Sequence, residues 1–158
     1  MPTKIFSSLN YTFNGCKIQD ILKAYMLKIK SRKVTEKQSG VTVLSSERIN
    51  DKYIKHTIQR KLPEFLLRFF NLNHVEYQEH VKLTDETIEI ESEQVVSGVT
   101  IKFNMIYMFD KDQNSTVVTG ILKVDKVPNI LKRPIEQYIL KQFKNEREVE
   151  SSFLDKKM

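Results

Sequence analysis

With 158 residues, the chain has the length of one domain and enough material for a sizeable core, so one domain over 1–158 is expected. Hydrophobic residues at 40% and charged residues at 29%, with only 4 Gly and 4 Pro, exclude a disordered, fibrous or linker-rich chain. The net charge of +6 favours anionic partners, nucleic acid or an acidic membrane face.

Taken in order, Ile5, Ser7, Leu9, Tyr11 and Phe13 repeat with a period of two and predict a half-buried strand, which Asn14-Gly15 breaks. Ile18, Ile21, Leu22, Tyr25, Met26 and Ile29 then fall on one face of a helix over about 17–30, whose other face is mostly lysine. A polar linker over 31–40 follows. Val41, Val43 and Ile49 mark a second strand, and Ile54, Ile58 and Leu62 a third, with Asn50-Asp51 turning between them.

Leu62-Pro63-Glu64 opens a short helix, because Pro suits the first helical position and Glu the positive N-terminal end. Strands over about 74–84, 87–96, 99–109 and 115–126 are separated by turns short enough to join antiparallel neighbours, among them Ser97-Gly98. A long helix over about 129–154 closes the chain, carrying Leu131, Ile135, Tyr138, Ile139, Phe143, Val149 and Phe153 on or near one face. Pro134 in its first turns predicts a kink or a delayed start. A seven-stranded meander with one apolar face must curl, and only the terminal helix is long enough to fill its concave side. The fold class is therefore α+β.

A single cysteine, Cys16, cannot close an internal disulfide, so a cytoplasmic setting is expected. Residues 1–14 alternate instead of forming the apolar run of a signal peptide, and no stretch approaches the roughly 20 apolar residues that cross a bilayer. Basic residues gather between Lys17 and Lys37 and acidic ones between Glu76 and Glu93. That separation reads either as two solvated faces or as a dipole that orients the domain on an anionic surface.

The order of elements, with Leu62-Pro63-Glu64-Phe65-Leu66-Leu67-Arg68-Phe69-Phe70 after the third strand and Val127-Pro128-Asn129-Ile130-Leu131 opening the last helix, resembles the helix-grip fold of the START and birch-pollen-allergen superfamily. Within it the pattern is similar to an uncharacterised bacterial START-like family and, more loosely, to the PRELI phospholipid carriers. The resemblance implies an apolar cavity between the sheet and the long helix, used for lipids, sterols or other apolar molecules. Phe103, Met105 and Tyr107 on the sixth strand and Ile135, Tyr138 and Ile139 on the long helix are placed on its walls. Lys30-Ser31-Arg32-Lys33 stands where PRELI carriers have a Tyr-Pro-Asn-Pro-like segment, which counts against transfer of phosphatidic acid or phosphatidylserine.

No nucleophile elbow, phosphate-binding glycine loop or pair of zinc-type cysteines is present, so neither a cofactor nor a metal is expected. His74 and His80 share a strand face with Glu76 and Gln78 that reads as solvent-facing. Alternation instead turns four polar residues inward: Glu47 with Val41 and Val43, His56 and Arg60 with Ile54 and Ile58, and Glu79 with Val75, Tyr77 and Val81. Charges so placed need partners, either Glu47 or Glu79 pairing with Arg60, or a ligand head group held by Arg60 and His56. Phe65, Leu66, Phe69 and Phe70 read either as core or as a gate over the cavity mouth, with Lys61 and Arg68 beside them for anionic head groups.

The leading expectation is non-enzymatic binding or transfer of a lipid or other hydrophobic molecule by a monomer that touches an anionic membrane peripherally. The alternatives are a cyclase- or hydrolase-like enzyme using Glu47, His56, Arg60, Glu79 or Tyr107, and a basic protein or nucleic-acid interaction module. The basic stretch lacks the interleaved aromatics of a single-strand binder, so nucleic acid is not an expected partner.

Overall fold

The computed structural model describes residues 2–30, 40–72, 74–96 and 98–155. Residues 31–39 of the linker expected over 31–40, Ser97 of the expected Ser97-Gly98 turn, and the basic residues Arg32, Lys33 and Lys37 lie outside the described residues. The elements are β1 (Pro2–Asn14), α1 (Ile18–Lys30), β2 (Val41–Arg48), β3 (Tyr53–Lys61), α2 (Glu64–Phe70), β4 (His74–Leu83), β5 (Thr87–Val96), β6 (Val99–Asp110), β7 (Ser115–Pro128) and α3 (Asn129–Asp155).

One antiparallel sheet holds the seven strands in the order β1-β7-β6-β5-β4-β3-β2. β2 to β7 form the expected meander, and β1 returns to pair with β7, Ile5 opposite Val124 and Phe13 opposite Thr116. α3 packs against α1, β1 and β7. The α+β architecture expected from the sequence, a seven-stranded antiparallel sheet with a long C-terminal helix and two shorter ones, is the one found.

The period-two pattern settles which face of each strand is covered. On β7 the even residues Val118, Leu122 and Val124 are buried while Thr119, Ile121 and Lys123 are exposed. Gly120 continues the buried row under α3. A Cβ there would lie 3.1 Å from the Phe103 ring and 3.2 Å from the Phe143 ring, so the helix approaches β7 where a side chain is missing.

Two local expectations change. α3 begins at Asn129 and keeps Pro134 inside it. The start is not delayed, because only the Ile130 carbonyl loses its donor so near the N-terminus. On β2 the register shifts between Val43 and Ser45, so two residues of β2 oppose one of β3. Beyond that bulge every side chain changes face: Glu47 stands opposite Lys55, and both Glu47 and Ile49 are exposed.

Candidate functional site

Between the concave face of the sheet and α3 lies a cavity of ≈ 130 Å³. The strand register brings its central residues into one row. Glu79 on β4 stands opposite Ser92 on β5, Ser92 opposite Phe103 on β6, and Phe103 opposite Leu122 on β7. Directly opposed residues project to the same face, so this row forms the floor of the cavity.

The cavity is apolar towards α2 and the first half of α3, where Leu66, Phe70, Val99, Ile101, Val124, Ile135 and Ile139 line it. It turns polar along the second half of α3, where Gln142, Glu146 and Arg147 follow Ile135 and Ile139 at helical spacing. Tyr25, Lys28, Arg60, Tyr77 and Glu79 complete that end.

The charges there are organised through α3. Glu150, 0% exposed, accepts from Arg147 Nε at 3.0 Å and Nη2 at 2.9 Å, from the Tyr107 hydroxyl at 2.6 Å, and from Lys28 Nζ on α1. Burial opposes its charge, but Arg147 and Lys28 outweigh burial and bring its carboxyl down to about 2. Arg147 also lies against the Phe143 and Tyr107 rings. Arg60 bonds Glu146 and Gln142, each at 3.2 Å, and the Tyr77 hydroxyl at 2.9 Å.

Glu79 differs from these carboxylates. It lines the cavity, and among the described residues it makes no hydrogen bond or ion pair. Burial raises its carboxyl above the ordinary range, against the opposing pull of Lys28. Also lining the cavity, the Tyr25 hydroxyl and the Gln94 side-chain oxygen are buried without partners among the described residues.

Of the residues singled out from the sequence, Arg60, Glu79, Phe103, Met105, Ile135, Tyr138 and Ile139 line the cavity. Three do not, and their placement is corrected. Glu47 is turned outward by the β2 bulge. Tyr107 is committed to Glu150. His56 faces the interior at 0% exposure but lies against the Tyr25 ring, with neither ring nitrogen bonded among the described residues, and burial lowers it to about 4. The pairing expected for Arg60 is corrected too, since its carboxylate is Glu146, not Glu47 or Glu79.

On α2, Leu66 and Phe70 turn to the cavity while Phe65 and Phe69 are 38% and 50% exposed. Lys61 is exposed, and Arg68 pairs with Glu64 on the surface at 2.6 Å. Lys28, Glu146, Arg147 and Glu150 were missed by sequence reasoning. The signal was present, because Phe143, Arg147 and Glu150 continue the i, i+4, i+7 stripe of α3 and Lys28 follows Tyr25 on the covered face of α1.

No family model matches the sequence, and no curated protein matches it. Solved structures are similar in fold. The ZhuI aromatase/cyclase from a Streptomyces species superposes with a TM-score of 0.66 at 7% identity, over 97% of this chain and 94% of that one. Norcoclaurine synthase from Thalictrum flavum, in complex with dopamine and hydroxybenzaldehyde, gives 0.56 at 13% identity over 98% and 90%. Ara h 8.0201 gives 0.53 at 10% identity over 97% and 99%. The fold is a helix-grip fold. At these identities the likeness shows fold alone, and it distinguishes neither the bacterial START-like family nor the PRELI carriers. It does correct one expectation: the fold gives no ground for reading the chain as non-enzymatic, because an aromatase/cyclase and a synthase share it.

Proposed function

We propose that the chain binds a small, largely apolar, ring-sized molecule in the cavity between the sheet and α3. One observation carries the reading: a cavity with apolar walls at one end presents, at the other, a carboxyl group that makes no hydrogen bond or ion pair with a described residue. Size sets the ligand class. A cavity of about 150 Å³ with apolar walls holds one benzene molecule, and drug-sized ligands take pockets of about 300 Å³ or more. At ≈ 130 Å³ a single ring fits, whereas a two-chain lipid requires α2 and α3 to move away from the sheet.

α2 is the natural place for entry, since a two-turn helix is stable only through its contacts and its Leu66 and Phe70 close the apolar end. The test is a titration of benzyl alcohol followed by methyl NMR. Saturable shifts are expected at Leu66, Ile101, Leu122 and Ile135; no saturable shift at any of them counts against the reading.

Glu79 supports a second reading, acid–base chemistry on the bound molecule. A carboxyl group that burial raises above the ordinary range, beside an apolar cavity, suits proton transfer at a carbon next to a carbonyl. The enzymes named among the similar structures are consistent with such use of the fold. In deuterated water, phenylacetone should exchange its α-protons faster with the protein than with Glu79→Gln. Equal rates remove this reading.

A further inference from the structure

Resting on the ligand-binding reading above, we propose that the ligand carries a hydrogen-bond donor on its ring, an amine or a hydroxyl, and that Glu79 receives it. The pairing of charges argues for a donor. The cations on the cavity wall already hold carboxylates: Lys28 and Arg147 share Glu150, and Arg60 takes Glu146. Glu79 is left as an acceptor without a donor among the described residues.

The Gln94 oxygen on the cavity wall adds an acceptor without a partner among the described residues, and the Tyr25 hydroxyl beside the cavity can accept or donate. Buried acceptors without partners carry a desolvation penalty that a ligand N–H or O–H removes. An anionic ligand finds one unengaged donor, the Tyr25 hydroxyl, but no unengaged cation among the described residues of the cavity wall. It must either break an existing ion pair or meet the Glu79 carboxylate.

Glu79 is surrounded by Tyr25 and Lys28 from α1, His56 and Arg60 from β3, and Glu146 and Arg147 from α3. Burial favours its protonated form. An incoming ammonium therefore competes with a proton for Glu79, and amine binding weakens as the pH falls.

Four compounds of one ring size separate the possibilities by calorimetry: toluene, benzyl alcohol, benzylamine and benzoate, each with the protein and with Glu79→Gln. Toluene reports the cavity alone. Benzyl alcohol and benzylamine are expected to bind more tightly than toluene, and benzoate more weakly than either. Glu79→Gln should keep toluene affinity and lose roughly 10- to 100-fold for benzylamine. Benzoate binding as tightly as benzylamine, or benzylamine unaffected by Glu79→Gln, overturns the proposal while leaving the cavity reading in place. Loss of toluene along with benzylamine in the variant would assign Glu79 to the architecture of the cavity, and overturns it as well. Binding of none of the four by the unaltered protein removes the cavity reading, and the proposal with it.

Discussion

Lys28 of α1 and Glu150 of α3 are 122 residues apart in sequence and form an ion pair inside the protein, with side chains 8% and 0% exposed. Arg147 and Tyr107 close on the same carboxylate, so one side chain ties α1, α3 and β6 together. Removing one member of a buried ionic cluster strands the others, typically at about 3–5 kcal/mol.

Glu150→Gln is accordingly expected to cost about 3–5 kcal/mol in urea denaturation at pH 7. Its carboxyl is lowered from 4.5 to about 2 in the folded protein. Its contribution is therefore complete above pH 4.5 and is lost as the pH falls through about 2. An unchanged denaturation midpoint in the variant would show that the cluster contributes nothing net.

A second acid-sensitive group is His56, whose buried imidazole is lowered from 6.5 to about 4. It stays neutral in the fold and protonates in the unfolded chain, so stability is complete above pH 6.5 and declines as the pH falls towards about 4. Glu79 works in the opposite sense: its raised carboxyl costs stability as the pH rises above 4.5. His56→Leu isolates the histidine, and should remove roughly 3 kcal/mol of the decline between pH 6.5 and 4. Parallel stability curves for the two proteins would rule this out.

Much of the frame was legible in the sequence, and the exceptions have physical causes. Alternation placed β4 and β6 correctly because regular strands keep period two; Val75, Tyr77, Val81 and Met105 are all buried. It failed at Glu47, where one extra residue in β2 reverses the faces and leaves no mark in hydropathy. The buried ion cluster was missed for another reason. Lys28, Arg147 and Glu150 each lie on the buried stripe of their helix, but their pairing needs two helices distant in sequence to be brought together, and helical periodicity alone does not reveal it. Glu79 was legible as an inward-facing charge, but not as the carboxylate left over after Arg60 had found Glu146.

The two faces of α2 predict different behaviour for neighbouring substitutions. Leu66 is 5% exposed and lines the cavity, so Leu66→Ala should cost about 2–3 kcal/mol and widen the cavity. Phe69 is half exposed and meets Phe70 edge to face at 5.1 Å. Phe69→Ala should cost under about 1 kcal/mol while freeing Phe70, so that bound benzyl alcohol exchanges several-fold faster in NMR line-shape measurements. Equal stability losses with unchanged exchange would make α2 core and not a gate.

The central claim, that this cavity is the ligand site, is tested most directly by filling it. Ile101 lines it from β6, between Gln94 of β5 and Val124 of β7. Ile101→Trp places an indole where the ligand ring is proposed to sit, and because it occupies a void it should leave the melting temperature unchanged or raised. Benzyl alcohol titrated into this variant and the unaltered protein by calorimetry should bind only the latter. A folded Ile101→Trp protein that binds benzyl alcohol with undiminished affinity would contradict the account, because the ligand would then sit elsewhere.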